Sequence, residues 1–229
     1  MRFNKKNSYY RDEVYEFSLP VGHTCPGAET CLVRVNRKTG KQKNESDAYK
    51  CYAAAAERFP GVRNQRWQNL KEAKRGILPM PPDEAKRIRI HSGGDFFNQA
   101  YFDNWLAVCL LRPKDEFWAY TKSLIYWQKR MDAIPANLQL IASYGGKHDH
   151  LILELGLKHC VVVNSLEEAA VAGLPVDYND DLARNPAIQR FALVENKKGR
   201  ALDKVDIHQH NELYLANTGV WTPPEVYEP

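Results

Sequence analysis

No apolar run in the chain approaches the length needed to cross a bilayer, and its start, Met1-Arg2-Phe3-Asn4-Lys5-Lys6-Asn7, carries no apolar stretch of the kind a secretion signal has. A membrane-embedded or exported protein is therefore not expected, and the cytosol is the expected location. Strong charge of either sign is also missing: 32 Lys and Arg stand against 28 Asp and Glu, a net +4 with pI ≈ 8.7. That balance permits nucleic-acid contact but lacks the excess of a dedicated polyanion binder. No internal repeat or low-complexity tract occurs. The five cysteines include no pair at the two-residue spacing favoured by structural zinc. Their odd number, in a compartment that keeps thiols reduced, speaks against a disulfide framework.

What is present is an ordinary globular composition, 44% hydrophobic and 26% charged over 229 residues, enough for a sizeable core. Val14 to Leu19 reads as a first strand, broken by Pro20-Val21-Gly22 just before a cysteine loop. The Ala-rich stretch after Cys51 prefers helix, as does Asn64 to Arg75. Strands are then expected at Arg87–His91, Glu116–Thr121, Leu138–Ser143, His159–Val163 and Arg190–Val194. Helices are expected at Tyr101–Leu111, Leu124–Ala133, His150–Leu155 and Leu166–Ala172. Six strand-helix units in order predict an α/β fold with parallel pairing, arranged as a partial (β/α)6 barrel; a doubly wound open sheet has the same local pattern. The expected division is a barrel domain over residues 1–196 and a C-terminal extension, 197–229, packed on it.

Cys25 and Cys31 are separated by five residues, with Pro26-Gly27-Ala28 favouring a tight turn, and Cys51 lies nineteen residues further on, at a helix start. Thiolates are soft ligands for zinc or iron-sulfur clusters, and a cubane cluster accepts wider spacings because its irons lie several ångströms apart. Three unrelated buried cysteines are the plainest competing reading. His23, Asp95 and Cys160 are candidates for a fourth ligand, although Cys160 sits in an apolar strand and Cys109 in an amphipathic helix. Without a fourth ligand, one coordination position stays open.

The second strand ends in His91-Ser92-Gly93-Gly94-Asp95, where paired glycines let backbone approach a small polar ligand and Asp95 either holds a cation or caps the next helix. Lys122 and Lys147, at the ends of the next two strands, are candidates to neutralise an anion. Arg63, Arg66, Trp67, Lys74 and Arg75 form either a solvated basic helix face or a nucleic-acid contact. His208 and His210 share a face if their segment is a strand, a weak metal signal.

The stretches from Phe17-Ser18-Leu19-Pro20 to Cys25-Pro26-Gly27-Ala28, Cys51-Tyr52-Ala53 and Arg66-Trp67-Gln68-Asn69-Leu70 resemble the phage gene product 88 family. So do Ile90-His91-Ser92-Gly93-Gly94-Asp95-Phe96-Phe97 and Phe117-Trp118-Ala119-Tyr120-Thr121-Lys122-Ser123, and the resemblance runs from about Tyr15 to Val194. The layout is also similar to radical S-adenosylmethionine enzymes. In that superfamily three cysteines after the first strand hold a [4Fe-4S] cluster, and a Gly-Gly-acid turn after the second binds the methionyl amine of the cofactor. The resemblance implies Cys25, Cys31 and Cys51 as cluster ligands, and Ser92, Gly93, Gly94 and Asp95 as a cofactor turn for S-adenosylmethionine. This chain departs from the pattern in spreading its cysteines over twenty-seven positions instead of one short loop.

The expectation is thus a phage-encoded [4Fe-4S] protein of the host cytoplasm, with redox or radical chemistry on an unidentified substrate. The alternative, from a different class, is a nucleic-acid-binding or host-interaction protein braced by structural zinc or by no metal.

Overall fold

The structure, a computed structural model, describes residues 1–6, 13–44, 51–195 and 204–215. It comprises two compact units, Met1–Leu157 and Lys158–Pro229. The sequence reading places its boundary at 196/197 instead.

In the first unit, β1 (Asn4–Lys6) lies antiparallel to β2 (Val14–Ser18), and the short strands β3 (Val33–Val35) and β4 (Gln42–Asn44) form a separate antiparallel hairpin. A 3-10 helix, Tyr52–Arg58, leads into α1 (Pro60–Ala73). The alternation then runs β5 (Arg87–Gly93), α2 (Gln99–Leu111), β6 (Glu116–Thr121), α3 (Leu124–Gln128), β7 (Leu138–Ser143) and α4 (His150–Glu154). A further 3-10 turn, Met131–Ala133, follows α3, so the single helix expected over Leu124–Ala133 is two short pieces. Strands pair in the order β1-β2-β5-β6-β7, parallel from β2 onward. β1 does not return to β7, so this unit is an α/β sheet that is mostly parallel and not a closed barrel.

Register sorts one face of the core. Tyr15 stands opposite Ile88, Ile88 opposite Phe117 and Phe117 opposite Leu138, and the next row carries Ile90, Ala119 and Leu140. With a period of two, these rows share one face. They pack there against Leu70 of α1, Phe102, Trp105 and Val108 of α2, Trp127 of α3 and Ile152 of α4. Asn98 caps α2 by accepting the Tyr101 N–H at 2.8 Å, so the cap expected of Asp95 belongs to Asn98.

The sheet is irregular where β5 meets β2. Glu16 pairs with Arg89 but Ser18 pairs with Gly93, so β5 carries extra residues, and His91 adopts a left-handed φ of 63°. This irregularity aims the end of β5 at the cysteine loop.

The second unit holds parallel strands β8 (His159–Val163) and β9 (Arg190–Val194) and helices α5 (Leu166–Val171), α6 (Asp181–Arg184) and α7 (Lys204–Leu215). α7 lies in the expected extension; residues 196–203 and 216–229, including Thr222-Pro223-Pro224-Glu225, are outside the described residues. His208 and His210 therefore sit on a helix, not a strand. His210 is buried with Nε2 2.9 Å from the Leu174 carbonyl, and His208 Nε2 is 3.4 Å from the Tyr178 hydroxyl.

Candidate metal centre

After β2, Thr24 donates its N–H (3.2 Å) and its hydroxyl (2.8 Å) to the Pro20 carbonyl, and the Cys25 N–H bonds Gly22 O at 3.3 Å. These bonds curl the chain back over the strand end. The far side of the loop is seated on the turn after β7. Glu29 and Thr30 donate their N–H groups to Gly145 O at 3.2 and 3.1 Å, and Lys147 gives its N–H to Gly27 O and its ammonium to Pro26 O, both at 2.9 Å. Leu19 N–H to Gly93 O, 2.7 Å, ties the stem to β5. The loop thus spans the carboxyl ends of three parallel strands, where ligand sites of such sheets lie.

Cys51 reaches the same place from another direction. It precedes the 3-10 helix and packs with Val21, Val33 and Ala54. The hydroxyl of the adjoining Tyr52 donates to the Ser92 carbonyl at 3.3 Å, and Ser92 Oγ lies 2.7 Å from Ser18 Oγ.

The three thiols act on one another. Burial pushes the Cys25 pKa well above its ordinary value, with the charges of Asp95, Cys51 and Cys31 adding to the rise. Burial also raises Cys31, as does Asp95, while Lys122 opposes the shift. Cys51 is raised by burial and by Cys31, against the N–H groups of Ala54 and Ala53 and the Arg66 guanidinium. Cys25, Cys31 and Cys51 are therefore electrostatic neighbours, free of disulfides and half-buried. Among the described residues, no three His, Cys, Asp or Glu side chains are gathered as a site for a metal ion.

Asp95 is buried beside them. Its Oδ1 accepts from the Thr121 hydroxyl (2.6 Å) and the Phe96 N–H (2.7 Å), and Oδ2 accepts from the Lys122 N–H (2.9 Å). Burial raises its pKa against these donors. The glycine turn is covered by protein: a Cβ at Gly93 would lie 2.8 Å from the Arg66 guanidinium carbon. At Gly94, whose φ is 85°, it would lie 2.6 Å from Thr24 Oγ1.

The other candidates divide. The Lys122 ammonium donates to Ser143 O (2.9 Å), Ser143 Oγ (2.8 Å) and Tyr144 O, pinning the ends of β6 and β7 together. The His23 ring lies 4.8 Å from that of Trp67, tilted by 45°, and burial, Lys74 and Arg37 lower its pKa. Cys109 is helix core, its thiol pushed up to about 12 by burial, and Cys160 is fully buried in β8.

Arg63 and Arg66 are not a solvated face. Both are buried; Arg63 donates to Arg37 O (2.8 Å), Lys38 O (3.0 Å) and Glu57 O (2.5 Å). Arg66 pairs with the buried Glu57 at 2.9 Å, and the same Glu57 oxygen accepts the Val21 N–H at 3.1 Å. Sequence reasoning missed Glu57 and the burial of both arginines. A signal was there, since positions 63, 66, 70 and 73 form one helical stripe that includes Leu70 and Ala73.

The family model "Gene product 88" matches residues 2–210. The chain belongs to the gene product 88 family. The match reaches beyond both ends of the Tyr15–Val194 stretch and enters both compact units. No curated protein and no solved structure matches the chain. Among the described residues of this gene product 88 protein, no helix is long and apolar enough to cross a membrane.

Proposed function

We propose that this gene product 88 protein is a [4Fe-4S] protein of the host cytoplasm in which Cys25, Cys31 and Cys51 are cluster ligands. The observation that carries the reading is placement: the loop bearing Cys25 and Cys31 is seated over the strand ends on Gly145 and Lys147, and Cys51 packs with Val21 and Val33 of the same excursion. A single zinc ion needs its sulfurs converged at ~2.3 Å from one point, whereas a cubane presents its irons several ångströms apart. Three cysteines with no two-residue spacing suit the second geometry better than the first.

The soft donor set fits the cluster, which when bound supplies one-electron transfer. The chain's own part is to release the thiol protons and hold the resulting charge. Lys122 and Arg66 oppose the upward shifts at Cys31 and Cys51, and the N–H groups of Ala53 and Ala54 turn toward Cys51. The cysteine loop lies at the carboxyl ends of parallel strands, where ligand sites of open α/β sheets lie. The glycine turn fits S-adenosylmethionine poorly as it stands. Gly93 O is taken by Leu19, the faces of Gly93 and Gly94 are covered, and Asp95 is engaged by three donors. We therefore read the cluster as a redox or structural centre.

Anaerobic purification with iron and sulfide analysis tests this. The expected result is a brown protein with ~4 iron and ~4 sulfide per chain, lost in Cys25→Ser, Cys31→Ser and Cys51→Ser and kept in Cys109→Ala. Colourless protein without either element, made under cluster-supplying conditions, overturns the proposal. A change in the reduced cluster's spectrum on adding S-adenosylmethionine overturns the closed site while sparing the ligands.

A further inference from the structure

The Arg63 and Arg66 stripe expected to offer a basic face is buried, yet a basic surface exists elsewhere in the same unit. Between Cys31 and Asn44 the sequence has five cations, Arg34, Arg37, Lys38, Lys41 and Lys43, and no acidic residue. All five are exposed.

The β3-β4 hairpin sorts its residues by face. Val33 is buried and Gln42 reaches inward to Ala54 O at 2.5 Å, so Arg34, Lys41 and Lys43 project from the opposite face. Register sets Arg34 directly across from Lys43.

The ribbon is also held stiff. The Asn36 side chain accepts the N–H groups of Lys38 (2.9 Å) and Thr39 (3.0 Å), and the buried Arg63 grips the carbonyls of Arg37 and Lys38 from beneath. Arg37 lies 4.6 Å over the ring of Trp67, which fixes the position of its guanidinium.

We propose that the β3-β4 hairpin is a nucleic-acid-binding ribbon whose arginines and lysines contact the phosphate backbone. A rigid two-stranded ribbon fits a major groove about 12 Å wide, and a row of cations equally tracks the phosphates of a single strand. Both targets share the phosphate chemistry, and the probes below separate them. The proposal does not depend on a metal.

The test is fluorescence anisotropy with a labelled 20-base-pair duplex and a labelled 20-nucleotide single strand, titrated at several salt concentrations. Five phosphate contacts give a slope of log K on log salt of about −4.5 for duplex and about −3.5 for single strand, a weakening of roughly 500-fold or 100-fold between 50 and 200 mM salt. The probe that binds more tightly identifies the target. The variant Arg37→Gln/Lys38→Gln/Lys41→Gln/Lys43→Gln, all at exposed positions, is expected to flatten the slope by about 3 to 4, while Lys114→Gln/Lys129→Gln leaves it near wild type. Circular dichroism checks that both variants fold. No binding of either probe at 50 mM salt, or a hairpin variant that binds like wild type, overturns the proposal.

Discussion

Replacing Glu57 by leucine tests whether the floor under the cysteine loop rests on one buried charge pair. Glu57 is 1% exposed, and its Oε1 accepts from both Arg66 and the Val21 N–H. The variant leaves a guanidinium without its counter-charge at a position 6% exposed, together with an unpaired amide. Removing one partner of such a pair costs ~3–5 kcal/mol, because the other charge stays desolvated. At an m-value of about 2 kcal/mol/M the urea midpoint should fall by roughly 2 M. Tryptophan emission is a suitable probe, since Trp67, Trp105, Trp118 and Trp127 all lie in the first unit. Arg66→Met should cost a similar amount, but Glu57→Leu/Arg66→Met should cost far less than the two together, with a coupling of at least about 2 kcal/mol, because an apolar pair has no stranded charge. Additive losses, or a Glu57→Leu midpoint within about 0.3 M of wild type, would refute the reasoning.

Two further outcomes are expected. Gly94→Ala forces a Cβ to within 2.6 Å of Thr24 Oγ1 at a φ of 85°, and should lower the melting temperature by roughly 4–8 °C, a loss near 2 kcal/mol; an unchanged melting curve counts against the tight seat of the loop. His91 is buried and its pKa is lowered to about 3, so below pH 6.5 the unfolded chain takes up a proton that the folded chain refuses. Its contribution is complete above pH 6.5 and fades as pH falls toward 3, by about 5 kcal/mol in all. His91→Asn, a residue that accepts the left-handed backbone, should flatten this acid limb in urea titrations at pH 4 to 7; the same slope in both proteins would rule His91 out as its source.

The strand pattern was legible because each core strand carries its own signal. Glu116–Thr121, Leu138–Ser143, His159–Val163 and Arg190–Val194 stand where the apolar runs placed them. Charged Asn4–Lys6 gave no such signal, because it forms an edge strand by borrowing the ladder of β2. The four-residue helix Asp181–Arg184 was too short to show a period. At the candidate site, residue types and their position at strand ends could be read from the text. Tertiary partners could not: Arg66 looks like a surface cation until Glu57 is brought beneath it, and Asp95 looks like a helix cap until Thr121 and Lys122 arrive from the neighbouring strand.

The seating of residues 25–31 on Gly145 and Lys147 has a consequence for the order of synthesis. The loop emerges from the ribosome early, but the turn that receives it is translated 115 positions after Thr30. Until Lys147 has been released, the first two sulfurs have no platform, so if the proposed cluster binds it does so only after β7 and its turn have been made, and a product truncated before β7 should stay empty.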